Sequence, residues 1–305
     1  MSALTLAWLV PALLALFSYG VGQGLVKKWA AEVPPARYCI YFVIAKAAVN
    51  LGYFFTQAHP PLITPGNHAF LELGLASYVL DGIGWIFYFE AIVSGPIAII
   101  GTLSAAYPAL VVLLARVFLG ETLAVSQNVG VVAVILGCIG LSYAPPDPSA
   151  QIKGRKWILF SFLTIVAWGI DQTMVKHAYS LPEANDVNLA VLNTIGEALA
   201  LGTYGFLRGR REGGHSLKEW LHSFVPMAML AGGDLGVLVA SRFGPISIVS
   251  PLTGAYPAVT LIFATLVLKE VMTRLQWLCI GFVMLGIVLS PTSLEEMLKA
   301  VGMGH

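Results

Sequence analysis

The sequence predicts an all-α integral membrane protein with ten transmembrane helices, arranged as two inverted five-helix repeats. Three observations predict it. First, 57% of the 305 residues are hydrophobic and only 11% are charged, with a mean hydropathy of +0.80. A water-soluble domain carries roughly 25% charged residues, so lipid is the main solvent of this chain. Second, one stretch is written twice: Gly95–Glu121 reads GPIAIIGTLSAAYPALVVLLARVFLGE and Gly244–Glu270 reads GPISIVSPLTGAYPAVTLIFATLVLKE, 149 positions apart without a gap and identical at 12 of 27 positions. Such self-similarity marks a tandem duplication. Third, five spans fall in each half. Five is odd, so the second half enters the membrane from the opposite side, the inverted arrangement that places a shared site near the bilayer midplane.

A hydrocarbon core of about 30 Å needs roughly 20 apolar residues per helix, and that window gives the elements in order. Span one covers Leu4–Lys28 and ends at KKWAAEVPPAR; span two covers Arg37–Gln57. Span three, Ala69–Val93, follows the HPPLITPGNH turn, and the break at Ser94-Gly95-Pro96 opens span four, to Leu119. Span five runs from Leu123 to Tyr143. The polar linker APPDPSAQIKGRK then separates a first repeat, residues 1–146, from a second, 147–305. Span six is Trp157–Tyr179 and span seven Val187–Leu207, followed by RGRREGGHSLKE as a solvated loop. Spans eight, nine and ten are Phe224–Phe243, a segment opened by Gly244-Pro245 and ending at Leu268, and Leu275–Leu289. Proline is tolerated at a helix start, where the first N–H groups lack partners anyway, so each Gly-Pro marks a sharp hairpin. The N-terminal MSALTLAWLV lacks a basic region ahead of its apolar run and reads as a permanent span.

Several function classes are excluded. A formal net charge of +1 offers no basic face to nucleic acid. Cys39, Cys138 and Cys279 stand singly, and His59, His68, His177, His215, His222 and His305 are scattered over loops and ends. Neither metal-ligand nor general-base spacing is present. No Gly-rich phosphate loop occurs, so ATP drive would need another chain. The expectation is a transporter without metal or cofactor. Its partners are a small-molecule solute and membrane lipid, and the chain is a monomer or a homodimer.

Charged groups deep in a span are costly and face a partner or a wet cavity. By depth these are Lys46, Asp81, Asp171, Glu197 and Asp234, with Gln23, Asn50, Gln172 and Asn193 adding uncharged polarity. One reading is a structural network in which Lys46 pairs one carboxylate. The other is a pocket whose surplus acids serve proton-coupled exchange or bind an amine, because four carboxylates outnumber one Lys. Asp171 in GIDQTMVK has Gly22 as its repeat mate in GVGQGLVK, an asymmetry that points to a site. Tyr107-Pro108 and Tyr256-Pro257 fall mid-span. Each Pro frees a carbonyl four residues earlier, at Ser104 and Thr253, so kinked helices with free carbonyls and hydroxyls around a shared cavity are expected. Glu121 and Glu270 read as solvated or loop-capping carboxylates. Trp8, Trp29, Trp157, Trp168, Trp220 and Trp277 read mostly as interfacial anchors.

Ten spans in two repeats, with AAYPALVVLLARVFLGE at Ala105–Glu121, GAYPAVTLIFATLVLKE at Gly254–Glu270 and WGIDQTMVK at Trp168–Lys176, resemble the EamA-type permeases of the drug/metabolite transporter superfamily. The resemblance covers essentially the whole chain and implies a central cavity worked by alternating access, with amino acids, nucleotide precursors, sugars or drugs as the family's solutes. Half-size relatives carry a coupling Glu midway along their first helix, a depth that Glu197 matches. The resemblance also implies both termini in the cytoplasm. The Lys and Arg residues argue the reverse. Lys27, Lys28, Arg37, Lys153, Arg155, Lys156, Arg208, Arg210, Arg211, Lys218, Lys269 and Arg274 share one side, against Arg116, Lys176, Arg242 and Lys299 on the other. A flippase for a lipid or lipid-linked precursor is the second reading, favoured by a lateral opening lined by Lys46 and Arg37.

Overall fold

A computed structural model describes residues 3–29, 35–58, 60–94, 100, 103–104, 106–141, 155–209, 217–269 and 271–291. The first half contributes α1 (Ala3–Trp29), α2 (Pro35–Thr56), α3 (His68–Ser94), α4 (Tyr107–Phe118) and α5 (Val125–Leu141). The second contributes α6 (Lys156–Ala178), α7 (Asp186–Glu197), a π turn (Ala198–Gly202), α8 (Thr203–Gly209), α9 (Leu217–Phe243), α10 (Ile246–Gly254), α11 (Tyr256–Val267) and α12 (Arg274–Leu289). Among the described residues six segments are long and apolar enough to cross a membrane: Ala3–Val26, Arg37–Thr56, His68–Ala91, Lys156–Ala178, Leu217–Phe243 and Ile246–Val267. The helices α4, α5 and α12 are shorter apolar pieces. The protein is a multi-pass membrane protein.

The duplication is visible in the element bounds. Shifting α3 and α4 by 149 positions gives the bounds of α9 and α11. It is also visible in packing. A Cβ on Gly20 would fall on Val259, and one on its mate Gly169 would lie 2.6 Å from Leu110, the mate of Val259. Gly84 abuts Trp168 as Gly233 abuts Tyr19, and Gly137 meets Val283 as Gly286 meets Val134. Each contact recurs with the roles of the halves exchanged, the signature of a two-fold relation. The closest helix packing runs between halves: α1 on α9, α3 on α6, α5 on α12, α2 on α9, α3 on α7 and α1 on α11.

The direction of the repeats follows from contacts along α2 and α7, which are repeat mates. Gly205, just beyond α7, meets Cys39. Glu197 meets Lys46, Asn193 meets Asn50, and Asp186 meets Tyr53. As one number rises the other falls, so α2 and α7 are antiparallel and the repeats are inverted.

Local sequence sets the helix ends. Thr273 and Gln276 form a reciprocal capping box at the start of α12. The Asn185 side chain accepts the backbone N–H of Asn188 at 2.7 Å at the start of α7. Three segments differ from the sequence expectation. The eighth span begins at Leu217 rather than Phe224, so the LKE that ends the expected loop RGRREGGHSLKE is helical. Glu219 is buried there because the Tyr41 hydroxyl donates to it at 2.7 Å and Arg37 lies 3.3 Å away. The seventh span is interrupted by the π turn directly after Glu197. The ninth, continuous as a span from Ile246 to Val267, breaks at its middle: α10 stops at Gly254, Ala255 intervenes, and α11 restarts with Pro257 in its first turn. Gly95-Pro96 and Glu270 lie outside the described residues.

Candidate functional site

Lys46 sits at the crossing of four helices. Its side chain, on α2, is wholly buried. Its Nζ lies 3.3 Å from Asp81 Oδ2 on α3 and 2.8 Å from Asp234 Oδ2 on α9, and it donates to Glu197 Oε1 at the end of α7. The Phe42 ring centroid lies 4.6 Å from the ammonium. The sequence expectation of one paired carboxylate is therefore too small: three acids from both halves share one cation. The Tyr19 hydroxyl on α1 donates to the other Asp234 oxygen, Oδ1. The π turn that follows Glu197 is the kind of helix irregularity often found at functional positions.

Beside this cluster lies a cavity of about 50 Å³, room for a few waters. Its walls are Tyr19, Gln23, Asp81, Trp85, Tyr107, Trp168, Asp171, Gln172, Asp234 and Tyr256. Eight of these ten are mates at the 149-residue offset: Tyr19 with Trp168, Gln23 with Gln172, Trp85 with Asp234, and Tyr107 with Tyr256. The cavity thus straddles the pseudo-two-fold axis.

The remaining two lining residues are Asp81 and Asp171, whose mates are Leu230 and Gly22. A Cβ on Gly22 would touch Leu230 Cδ2 at 3.0 Å. The same packing at the symmetry-related junction sets Asp171 against Asp81. Of these two symmetry-related junctions between the halves, the α1–α9 one is apolar and filled, and the α3–α6 one carries two acids.

The sequence candidates sort as follows. Asp81, Asp171, Asp234, Gln23, Gln172, Tyr107 and Tyr256 line the cavity, where Gln172 Nε2 donates to the Tyr107 hydroxyl at 3.3 Å. Lys46 and Glu197 stand behind Asp81 and Asp234 rather than on the wall. Asn193 accepts from Asn50 at 2.8 Å within the α2–α7 contact, away from the lining. Ser104 and Thr253 are wholly buried. Their hydroxyls donate back to Ile100 O at 2.6 Å and Val249 O at 2.9 Å, so they do not face the cavity. Pro108 packs against Gly254 and Pro257 opens α11. Trp168 is no interfacial anchor but an inner wall, its ring centroid 4.9 Å from Trp85 and 5.6 Å from Tyr107. Tyr19 and Trp85 also line the cavity without standing out in the sequence, where their signal is their repeat mates, the aromatic Trp168 and the acidic Asp234.

Among the described residues no lateral opening is lined by Lys46 and Arg37. Lys46 is enclosed by carboxylates, and Arg37 is buried against Glu219. An apolar groove between α4 and α6 is lined by Leu114, Phe118, Leu119, Ile170, Thr173, Met174 and His177 instead.

The chain is similar to known proteins at three levels: a family, a relative and a solved structure. A model of the EamA-like transporter family matches residues 6–143 and 155–291. The uncharacterized protein MJ1333.1 of Methanocaldococcus jannaschii is 28% identical over 134 residues, 44% of this chain and 95% of that protein, so the relative is about the length of one repeat. A protein crystal structure has the same fold, with a TM-score of 0.73 at 16% identity, covering 92% of this chain and 95% of that one.

Proposed function

The chain belongs to the EamA-like transporter family, and from that premise we propose that it is a secondary transporter in the cell membrane. It moves a small polar or amphipathic metabolite by alternating access, in the export direction, with proton coupling. The observation that carries this reading is the cavity on the two-fold axis, whose wall continues into Lys46 and its three carboxylates. A wall built from both inverted repeats changes exposure when one repeat rocks against the other. The cavity holds only a few waters, so a solute enters when the halves part. Lys46 offsets one of the four acids Asp81, Asp171, Glu197 and Asp234; in water-poor surroundings the balance is supplied by protons or by the solute. The residues in this role are Asp81, Asp171, Asp234 and Glu197 for charge, and Gln23, Gln172, Tyr107 and Tyr256 for orientation. The flippase reading draws no support from Lys46 or Arg37, since both are tied to carboxylates.

The test is transport in proteoliposomes under an imposed pH gradient with a broad metabolite panel. Gradient-driven solute movement that is lost in Glu197→Gln and Asp171→Asn is the expected result. No movement of any solute under any gradient would defeat the reading, and unchanged pH dependence in both variants would defeat its coupling step.

A further inference from the structure

We propose that the transported solute carries a positively charged nitrogen, which Asp171 receives inside an aromatic cage. This rests on the transporter reading above and adds the charge of the solute.

Asp171 is 5% exposed and lines the cavity, and its Oδ1 has no hydrogen-bond partner among the described residues. A buried carboxylate oxygen left without a donor is costly, and such a group is met by water, an ion or a ligand; Asp171 lies on the cavity wall, where each of these can reach it. Lys46 does not supply it, because its ammonium is held by Asp81, Asp234 and Glu197. Packing alone does not need the acid: at the symmetry-related α1–α9 junction Gly22 closes directly on Leu230.

The rest of the wall fits a cation. Tyr19, Trp85, Tyr107, Trp168 and Tyr256 surround the space, with Tyr19 and Tyr256 edge-on at 5.9 Å and Trp85 and Trp168 at 4.9 Å. Aromatic faces attract an ammonium within about 6 Å of the ring centroid, most strongly where water is scarce. The alternatives fit poorly. An anionic solute would meet four carboxylates and one already occupied ammonium. A neutral solute could donate to Asp171 but would not offset its charge, which would then need a proton.

Isothermal titration of the purified full-length protein in nanodiscs separates these cases, using phenethylamine, 2-phenylethanol and 3-phenylpropionate as cationic, neutral and anionic probes of similar size. Phenethylamine is expected to bind at least tenfold more tightly than either other probe. Asp171→Asn should weaken it at least tenfold, and Asp171→Glu should restore most of the loss. In the unaltered protein, phenethyltrimethylammonium, a cation with no N–H that could couple to an activated carboxylate, should also protect Asp171 from carbodiimide labelling, read by mass spectrometry; this needs no variant to fold. Equal or tighter binding of the neutral or anionic probe would overturn the proposal, as would unprotected Asp171 at saturating quaternary ammonium. Proteoliposomes that move neutral or anionic solutes but no amine defeat the cation assignment and leave the transporter reading standing. Amine binding without movement of any solute does the reverse.

Discussion

Glu121 accepts the backbone N–H groups of Ile246 and Ser247, each at 2.9 Å, and the Ser247 hydroxyl as well. The carboxylate that closes the doubled stretch in one repeat therefore caps the helix that opens it in the other. Lys176 treats the other side of the same break, donating to Ser241 O at 2.8 Å and Gly244 O at 2.7 Å. Helix N-termini favour a negative group and C-termini a positive one. Glu121→Ala is expected to lower stability by about 1–2 kcal/mol, the usual cost of losing a cap, with Glu121→Gln losing less. Thermal unfolding in detergent checks this; an unchanged midpoint for Glu121→Ala would show the cap contributes nothing.

Lys46 carries the converse risk. Removing one partner from a buried ion cluster costs about 3–5 kcal/mol, because the remaining charge is stranded. Lys46→Met strands three carboxylates and should be among the most damaging single substitutions in the chain. Adding Glu197→Gln should recover part of the loss, since these groups form one network and their effects do not add. A double variant as unstable as the sum of the two singles would show that they act independently.

How much of this was legible follows from where the information lies. Helix windows were readable because lipid imposes length and apolarity, and α3 matches Ala69–Val93 to within one residue at each end. The two-fold cavity was readable in outline, since Gln23, Gln172, Tyr107 and Tyr256 recur at the repeat offset in polar or aromatic form. Tyr19 and Trp85 were hidden because an aromatic residue on an apolar helix looks the same whether it faces lipid, core or cavity. Ser104 and Thr253 misled for a related reason: a hydroxyl in a span can satisfy itself on the carbonyl one turn back, and both do. Glu219 sits in a stretch whose charge reads as loop, and its buried partners Tyr41 and Arg37 lie some 180 residues away in sequence.

The paired ends Gly120 and Lys269 give a stability prediction. Gly120 has φ +66° and Lys269 has φ +60°, so both turn through the left-handed region after α4 and α11. A side chain there costs roughly 1–2 kcal/mol, partly offset by the entropy that glycine loses on folding. Lys269→Gly is expected to raise the unfolding free energy by about 0.5–1 kcal/mol. A lower unfolding midpoint for this variant would contradict it.

Topology is tested by a reporter that fluoresces only in the cytoplasm, fused after His305. The Lys and Arg distribution predicts a dark fusion with both termini outside. A bright fusion would place both termini in the cytoplasm and invert the sides on which the Glu121 cap and the Arg37–Glu219 pair lie.

Cation and proton should compete at the cavity. The titratable groups facing it are Asp81 on α3, Asp171 on α6 and Asp234 on α9, together with the tyrosines of α1, α4 and α11 at positions 19, 107 and 256. Lys46 and Glu197 stand immediately behind them. An arriving ammonium and an arriving proton each neutralise the same negative charge, so each lowers the affinity for the other by an equal factor. Lowering the pH loads protons onto the carboxylates and weakens amine binding; raising it strengthens binding until the acids are fully ionised. If one proton leaves for each amine bound, the apparent Kd for phenethylamine falls about tenfold per pH unit across the range in which the cluster titrates. Titrations between pH 5 and pH 8 in two buffers of different ionisation enthalpy measure both the slope and the proton count. Asp171→Asn should flatten the slope, because it removes one of the groups that exchange. A Kd independent of pH, or one that rises with pH, would mean that amine and proton do not share a site.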